Sequence, residues 1–190
     1  MKIIFSVLLF LLLPFTSLLA QKEPGERLTE SVTKITFIEP GIAHEFPLGK
    51  STTFFLRGGV TATLASDYYD EITGVLFRPF ASGSFRTYYN FAKRNMMEKN
   101  VARNSANYFA LLVLAATSPL NKGTDYDPDF NKALLNTGVV WGLQRNYPSG
   151  FSLDLNIGLG YVKAGHTDGL SVIGEINIGW WLGKKNKNRD

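Results

Sequence analysis

Phe151-Ser-Leu-Asp-Leu-Asn-Ile-Gly-Leu-Gly-Tyr161 alternates at every position. Phe151, Leu153, Leu155, Ile157, Leu159 and Tyr161 share one face, and Ser152, Asp154, Asn156, Gly158 and Gly160 share the other. A β-strand sends successive side chains to opposite sides, so the stretch predicts a strand with one greasy face and one polar or small face. The pattern recurs on both sides of it. Over Thr53–Ala65, Phe54, Leu56, Val60, Ala62 and Leu64 oppose Phe55, Arg57, Gly59, Thr61 and Thr63. Over Leu135–Arg145, Leu135, Val139, Trp141 and Leu143 oppose Asn136, Gly138, Gly142 and Gln144. Over Val172–Leu182, Ile176, Ile178, Trp180 and Leu182 oppose Glu175, Asn177 and Gly179.

Length decides what kind of sheet this is. The alternating segments run to about 11 to 14 residues, whereas an ordinary strand has about 5 to 6 and a tilted strand crossing a bilayer needs about 9 to 11. In a soluble barrel the greasy face points inward. In an outer-membrane barrel it points to lipid, and the polar face with its glycines fills the lumen. Strands are expected near 35–46, 52–65, 72–87, 104–117, 133–145, 151–164 and 170–183. Single-chain bacterial barrels have even strand numbers from eight upward, which places a further strand in Arg27–Ile38 with Glu39-Pro40-Gly41 as a turn. The expected fold is all-β: an eight-stranded antiparallel up-and-down transmembrane β-barrel over 35–183, with 21–34 as a lead-in or part of the first strand.

The first twenty residues read as a signal peptide. Lys2 is a short positive start, Ile3–Leu13 is nearly unbroken apolar sequence, and Leu18-Leu19-Ala20 precedes the polar Gln21. Beyond Gln21 no apolar run is long enough for a membrane-spanning helix. The chain of 190 residues is 19% charged, carries +4 and has no cysteine. This removes disulfide scaffolds, thiolate zinc sites, cysteine nucleophiles and acylated-cysteine anchors together. The basic end, 184–190, reads as a solvated periplasmic tail, and no nucleic-acid fold signature accompanies it.

With each apolar face turned outward, Glu45, Arg57, Asp154 and Glu175 point into the lumen, joined by Arg78, Arg86 and the amide of Gln144. An eight-stranded lumen is just wide enough to be filled by side chains, so these groups are expected to pair into a packed polar network. A second set gathers near strand ends: Phe46, Tyr88, Tyr89, Tyr108, Trp141, Phe151, Tyr161, Trp180 and Trp181. Amphipathic rings favour headgroup depth, and these are read as aromatic girdles. With both termini periplasmic, Ser66–Glu71, Pro119–Asn131 and Ala164–Gly169 become the longer surface loops, rich in acidic residues. Pro47–Lys50, Asn90–Arg103 and Asn146–Gly150 become the periplasmic connections, the long basic middle one forming a short helical or irregular excursion. Of the two histidines, His166 fits a turn and His44 lies on the apolar face beside Ile42 and Phe46, and no spacing places either against a serine nucleophile. No catalytic residue, metal site or cofactor is expected.

Arg86-Thr-Tyr-Tyr-Asn90, Asn104-Ser-Ala-Asn-Tyr108 and Trp141-Gly-Leu-Gln-Arg145, with Gly41-Ile-Ala-His-Glu45 and Phe151–Tyr161, resemble the small outer-membrane β-barrel proteins of Gram-negative bacteria. More narrowly, they resemble an uncharacterised group with R-x-Y-Y-N, N-S-x-N-Y and W-G-x-Q-R segments, whose motifs are structural signatures without assigned chemistry. The resemblance implies an exported, non-enzymatic outer-membrane protein in contact with outer-membrane lipids and the barrel-assembly machinery. Its role would be structural, or to meet an extracellular ligand at the acidic loops. The alternatives are a narrow pore or small-solute binder using the charged lumen, and a lipid-modifying outer-membrane enzyme.

Overall fold

A computed structural model describes residues 28–66, 72–121 and 128–183. The segment expected as a signal peptide over 1–20, the expected tail over 184–190, the whole of the 67–71 loop and the middle of the 117–133 loop lie outside the described residues. With them lie Tyr68, Tyr69, Tyr126 and most of the acidic loop residues.

Eight strands close into one antiparallel ring in sequence order. They are β1 (Val32–Thr36), β2 (Gly41–Pro47), β3 (Thr52–Ser66), β4 (Ile72–Tyr88), β5 (Asn107–Ala116), β6 (Leu134–Asn146), β7 (Phe151–Ala164) and β8 (Thr167–Leu182). The further strand expected in Arg27–Ile38 is β1, and the turn expected at Glu39-Pro40-Gly41 divides it from β2. Residues 37–40 form a turn, and the barrel begins at Val32, inside the lead-in. Closure depends on the shortest strand: Thr33, Lys34, Ile35 and Thr36 pair with Leu182, Trp181, Trp180 and Gly179.

Ala164–Gly169, expected as one of the longer loops, is mostly strand. Pairing of β7 with β8 runs on to Ala164 and Thr167, leaving a two-residue turn at Gly165-His166 rather than a longer loop. Gly165 takes φ +61, a left-handed conformation suited to a tight hairpin and open to glycine at no steric cost. The long connection between β4 and β5 behaves as its composition suggests. It holds a short helix α1 (Phe91–Met96) and a 3-10 turn at Ala102–Asn104.

Facing follows the sequence pattern. Outward residues include Ile42, Leu56, Leu111, Val139, Ile157, Leu159, Val172 and Ile176, all large, apolar and exposed. Inward residues include Glu45, Arg57, Arg86, Gln144 and Asp154, none more than 3% exposed. The inner wall is not wholly polar: Ala110, Leu112, Val140 and Ile173 form an apolar patch with Tyr88, Phe91 and Tyr108. Such a patch removes backbone-lined surface from water without demanding further hydrogen bonds.

Candidate functional site

The three motif segments meet at the end of the barrel where β1 begins and β8 ends. β4 ends on Arg86 and Tyr88, β5 begins at Tyr108, and β6 closes on Gln144 and Asn146, so consecutive antiparallel strands bring their motifs to one level. Tyr108 pairs directly with Gly142 across β5 and β6. Its ring occupies the space above that glycine, where a Cβ would come within 2.3 Å of Cζ. Glycine is needed at 142 to seat the ring.

The ring holds the network in place. Tyr108 donates its hydroxyl proton to Asp154 Oδ1 at 2.6 Å, and Arg86 reaches Asp154 Oδ2 at 2.7 Å. The Arg86 guanidinium lies between the rings of Phe55 and Tyr108, 3.7 and 4.4 Å from their centroids. Gln144 links the pair to a second carboxylate. Its Oε1 accepts from Arg86 at 2.9 Å, and its Nε2 donates to Glu45 Oε2 at 2.9 Å. Glu45 Oε1 accepts from Thr53 at 2.7 Å and from Tyr88 at 2.5 Å. The two carboxylates thus surround Arg86 and also act on the buried ammonium of Lys34, which has no hydrogen-bond partner among the described residues and lies 5.7 Å from the Phe55 ring centre. Two positive and two negative groups balance within this layer, as buried charges must.

Beneath it, the connection between β4 and β5 folds across the opening. Arg103, Asn104 and Ser105 are buried there, with Arg103 and Asn104 in left-handed conformations. Gln144 Nε2 donates to Asn104 O at 3.2 Å, Ser105 and Asn146 exchange hydrogen bonds, and Arg103 stacks 3.8 Å from the Trp181 ring centre. Asn104 also ties the chain before β1, accepting from Glu30 N at 2.8 Å. Together these contacts close this end of the lumen with side chains.

A second layer lies toward the other end. Arg57 reaches Glu39 at 2.7 Å and Glu175 at 3.1 Å, and also donates to Asn177. Asn156 donates to Glu175 at 2.7 Å. Above it Arg78 binds three main-chain carbonyls of the β5–β6 loop, those of Thr117, Phe130 and Lys132. That loop is also fixed from the side. Asp129 accepts from Thr167 Oγ1 at 2.7 Å and from the Thr167 and His166 amides at 2.9 and 3.2 Å. The Thr167 hydroxyl and the His166 amide hold the Asp129 carboxyl below the usual range.

All seven expected lumenal residues, Glu45, Arg57, Arg78, Arg86, Gln144, Asp154 and Glu175, therefore lie inside the barrel. The aromatic set divides. Phe46, Tyr89, Trp141, Phe151, Tyr161 and Trp180 face outward, with Trp141 Nε1 donating to the Tyr89 hydroxyl at 2.9 Å. Tyr88, Tyr108 and Trp181 do not belong to a girdle: they are 2%, 0% and 6% exposed and point inward. Parity carries the reason, since Tyr88 stands two residues from inward Arg86 and Trp181 two from inward Gly179. Lys34 and Glu39 are additions, one on a strand too short to show alternation and the other in a turn.

On the outer face, His44 sits 3.1 Å from Ser31 Oγ through Nε2 and 2.8 Å from Thr33 Oγ1 through Nδ1, with its ring against Phe46. Sequence spacing gave no sign of this contact, because Ser31 precedes the strand that pairs with His44. Among the described residues no group of three or more His, Cys, Asp or Glu is placed to hold a metal ion. No protein-family model, curated protein or solved structure matches the chain.

Proposed function

We propose that the protein is a non-enzymatic integral outer-membrane β-barrel of a Gram-negative bacterium, exported by a cleaved signal peptide and serving the envelope structurally or through its surface loops. One observation carries this reading: the barrel is inverted in polarity. Its exposed outer wall is a belt of Ile, Leu, Val and Phe, while its charges are buried inside. A water-soluble barrel gains nothing from that arrangement, whereas hydrocarbon solvates such a belt. The outward rings of Phe46, Tyr89, Trp141, Phe151 and Trp180 at the end where β1 begins and β8 ends, and of Tyr161 toward the other, suit two headgroup levels. The balanced, side-chain-filled lumen supports a closed barrel over a conducting one.

Fractionation of a Gram-negative host expressing the full chain tests this. The protein is expected in the outer membrane, starting at or near Gln21, with a gel mobility that changes on boiling. Recovery as a soluble periplasmic species would refute the reading. Planar-bilayer recording addresses the narrow-pore alternative: no stepwise conductance is expected while the Arg86–Asp154–Gln144 layer is intact.

The enzyme alternative has the Ser31–His44–Thr33 contact in its favour. An imidazole between two hydroxyls can take a serine proton, but Thr33 supplies no charge to stabilise the imidazolium. Phospholipid hydrolysis by reconstituted protein, abolished in Ser31→Ala, would establish that alternative. Its absence supports the non-enzymatic reading.

A further inference from the structure

At the end where β1 begins and β8 ends, a cleft of about 490 Å³ opens between α1 and the β6–β7 turn, lined by Arg94, Glu98, Asn100, Arg145, Asn146 and Tyr147. Its volume falls within the range of roughly 300 to 1,000 Å³ usual for small-ligand sites. Two guanidinium groups converge here and repel one another. Among the described residues neither makes an ion pair. Arg94 gives a hydrogen bond to Asn100 O at 2.8 Å, and its Nε is buried without a partner among the described residues. Arg145 reaches Asn107 Oδ1 and Gln144 O, each at 2.7 Å. Glu98 shares the cleft and stands in a left-handed conformation, φ +54, at the exit of α1. The cleft therefore offers two cationic forks and one carboxylate.

A second, apolar cleft lies along the outer wall from the first. It measures about 430 Å³, and its lining includes Trp141, Leu143, Leu155, Ile157, Gly174 and Ile176. Gly174 makes the space, since a Cβ there would meet nothing within 4 Å. Leu143 stands two residues before Arg145 on β6 and pairs with Leu155 on β7, so the polar cleft and the apolar groove run in line on neighbouring strands.

We propose that these two clefts form one phospholipid site, which takes a lipid of the periplasmic leaflet bearing a phosphate and a primary ammonium, that is, a phosphoethanolamine headgroup. Arg94 and Arg145 bind the phosphate, Glu98 binds the ammonium, and an acyl chain lies in the groove at Gly174. Paired guanidinium forks match phosphate oxygens, and a carboxylate placed beside them selects a headgroup that also carries N–H donors. The groove distinguishes a lipid from free phosphate, which has no chain to fill it. The site rests on the membrane reading proposed above.

The test uses the full chain, delipidated in detergent micelles, with lipid binding read by native mass spectrometry. Phosphatidylethanolamine is expected to bind about tenfold more tightly than phosphatidylcholine, whose ammonium has no N–H, or phosphatidylglycerol, which has no ammonium. Arg94→Gln weakens binding of all three by about tenfold. Glu98→Gln abolishes only the preference for phosphatidylethanolamine. Gly174→Phe fills the groove and weakens the lipid while leaving the soluble headgroup glycerophosphoethanolamine unaffected. A boiling-dependent gel shift in each variant certifies the fold. Equal binding of the three lipids, unchanged binding in Arg94→Gln, or competition by inorganic phosphate as strong as by glycerophosphoethanolamine would each overturn the proposal. A membrane-inserted barrel with any of these results loses the lipid site alone, whereas a soluble product removes the membrane reading itself.

Discussion

Arg86 and Asp154 meet at 2.7 Å inside the barrel, bridging β4 and β7, strands that are not neighbours in the ring. The pair therefore spans the lumen rather than a ladder, and Gln144 and Tyr108 hold it on either side. Removing one partner leaves a buried charge uncompensated. Asp154→Asn is expected to cost about 3 to 5 kcal/mol, read as a fall in the urea midpoint of tryptophan fluorescence. The double variant Arg86→Met with Asp154→Leu should recover most of that loss, because replacing both charges removes the desolvation penalty with the attraction. A double variant as unstable as Asp154→Asn would show that the pair does more than balance charge.

The inward tyrosines give a sharper contrast. Tyr88 and Tyr108 each donate to a buried carboxylate, Glu45 and Asp154. Phenylalanine at either position leaves that acceptor short of a donor, at about 1.5 to 3 kcal/mol. Tyr89 is adjacent in sequence but 53% exposed on the outer wall, so Tyr89→Phe is expected to fall within about 0.5 kcal/mol of the parent. Urea midpoints for the three variants check the assignment, and equal effects at 88 and 89 would contradict the facing.

That contrast also shows what the sequence could disclose. Strands β3, β6, β7 and β8 were legible because side-chain period is a local property, and one correct facing places every residue of a strand. The misreadings arose where position near a strand end outweighed parity, as at Tyr88, Tyr108 and Trp181. Lys34 and Glu39 could not be found by alternation, because β1 has five residues and Glu39 sits in a turn. The partnering of Arg78 with the carbonyls of Thr117, Phe130 and Lys132 depends on how the β5–β6 loop folds back. Contacts of that kind have no periodic signal.

The latch between the β5–β6 loop and the β7–β8 hairpin is pH-sensitive. Hydrogen bonds from Thr167 and His166 lower the Asp129 pKa in the folded state. The latch is therefore fully present above the unfolded carboxyl pKa of about 3.9 and is lost as pH falls through the lower folded value. The Thr167 amide resonance in micelles is expected to titrate with a midpoint below about 3.9, and Asp129→Asn to remove that inflection. A midpoint at or above the ordinary carboxyl value would mean that the hydrogen bonds do not favour the ionised form.

Ile157 and Asn156 test which wall meets lipid. Ile157 lies midway along β7 and is 59% exposed on the outer face, while Asn156 is buried against Glu175. Near a bilayer midplane Ile157→Arg costs about 2 to 4 kcal/mol. Asn156→Ala is expected to be milder, because Arg57 still pairs with Glu175. Reconstituted stability in vesicles reads both. Tolerance of Arg at 157 with collapse of the Ala variant at 156 would favour a water-facing outer wall.

The last prediction concerns direction, since partners act only on the end they can reach. β1 starts and β8 ends on the side occupied by the β2–β3 turn, α1 and the turn at 147–150. The hairpin at Gly165-His166 and the loop pinned by Arg78 and Asp129 occupy the opposite end. In an outer-membrane barrel the end where the first strand starts and the last one ends faces the periplasm, which turns the hairpin and that loop toward the exterior. The chain has no cysteine, so one introduced thiol labels a single place. His166 and Ser149 are both exposed, one at each end. With a membrane-impermeant maleimide on intact cells, His166→Cys is expected to label and Ser149→Cys to label only after the outer membrane is opened. The reverse pattern would invert the barrel. It would place the acidic loops in the periplasm and the Arg94–Arg145 cleft at the cell surface, where no periplasmic-leaflet lipid could occupy it.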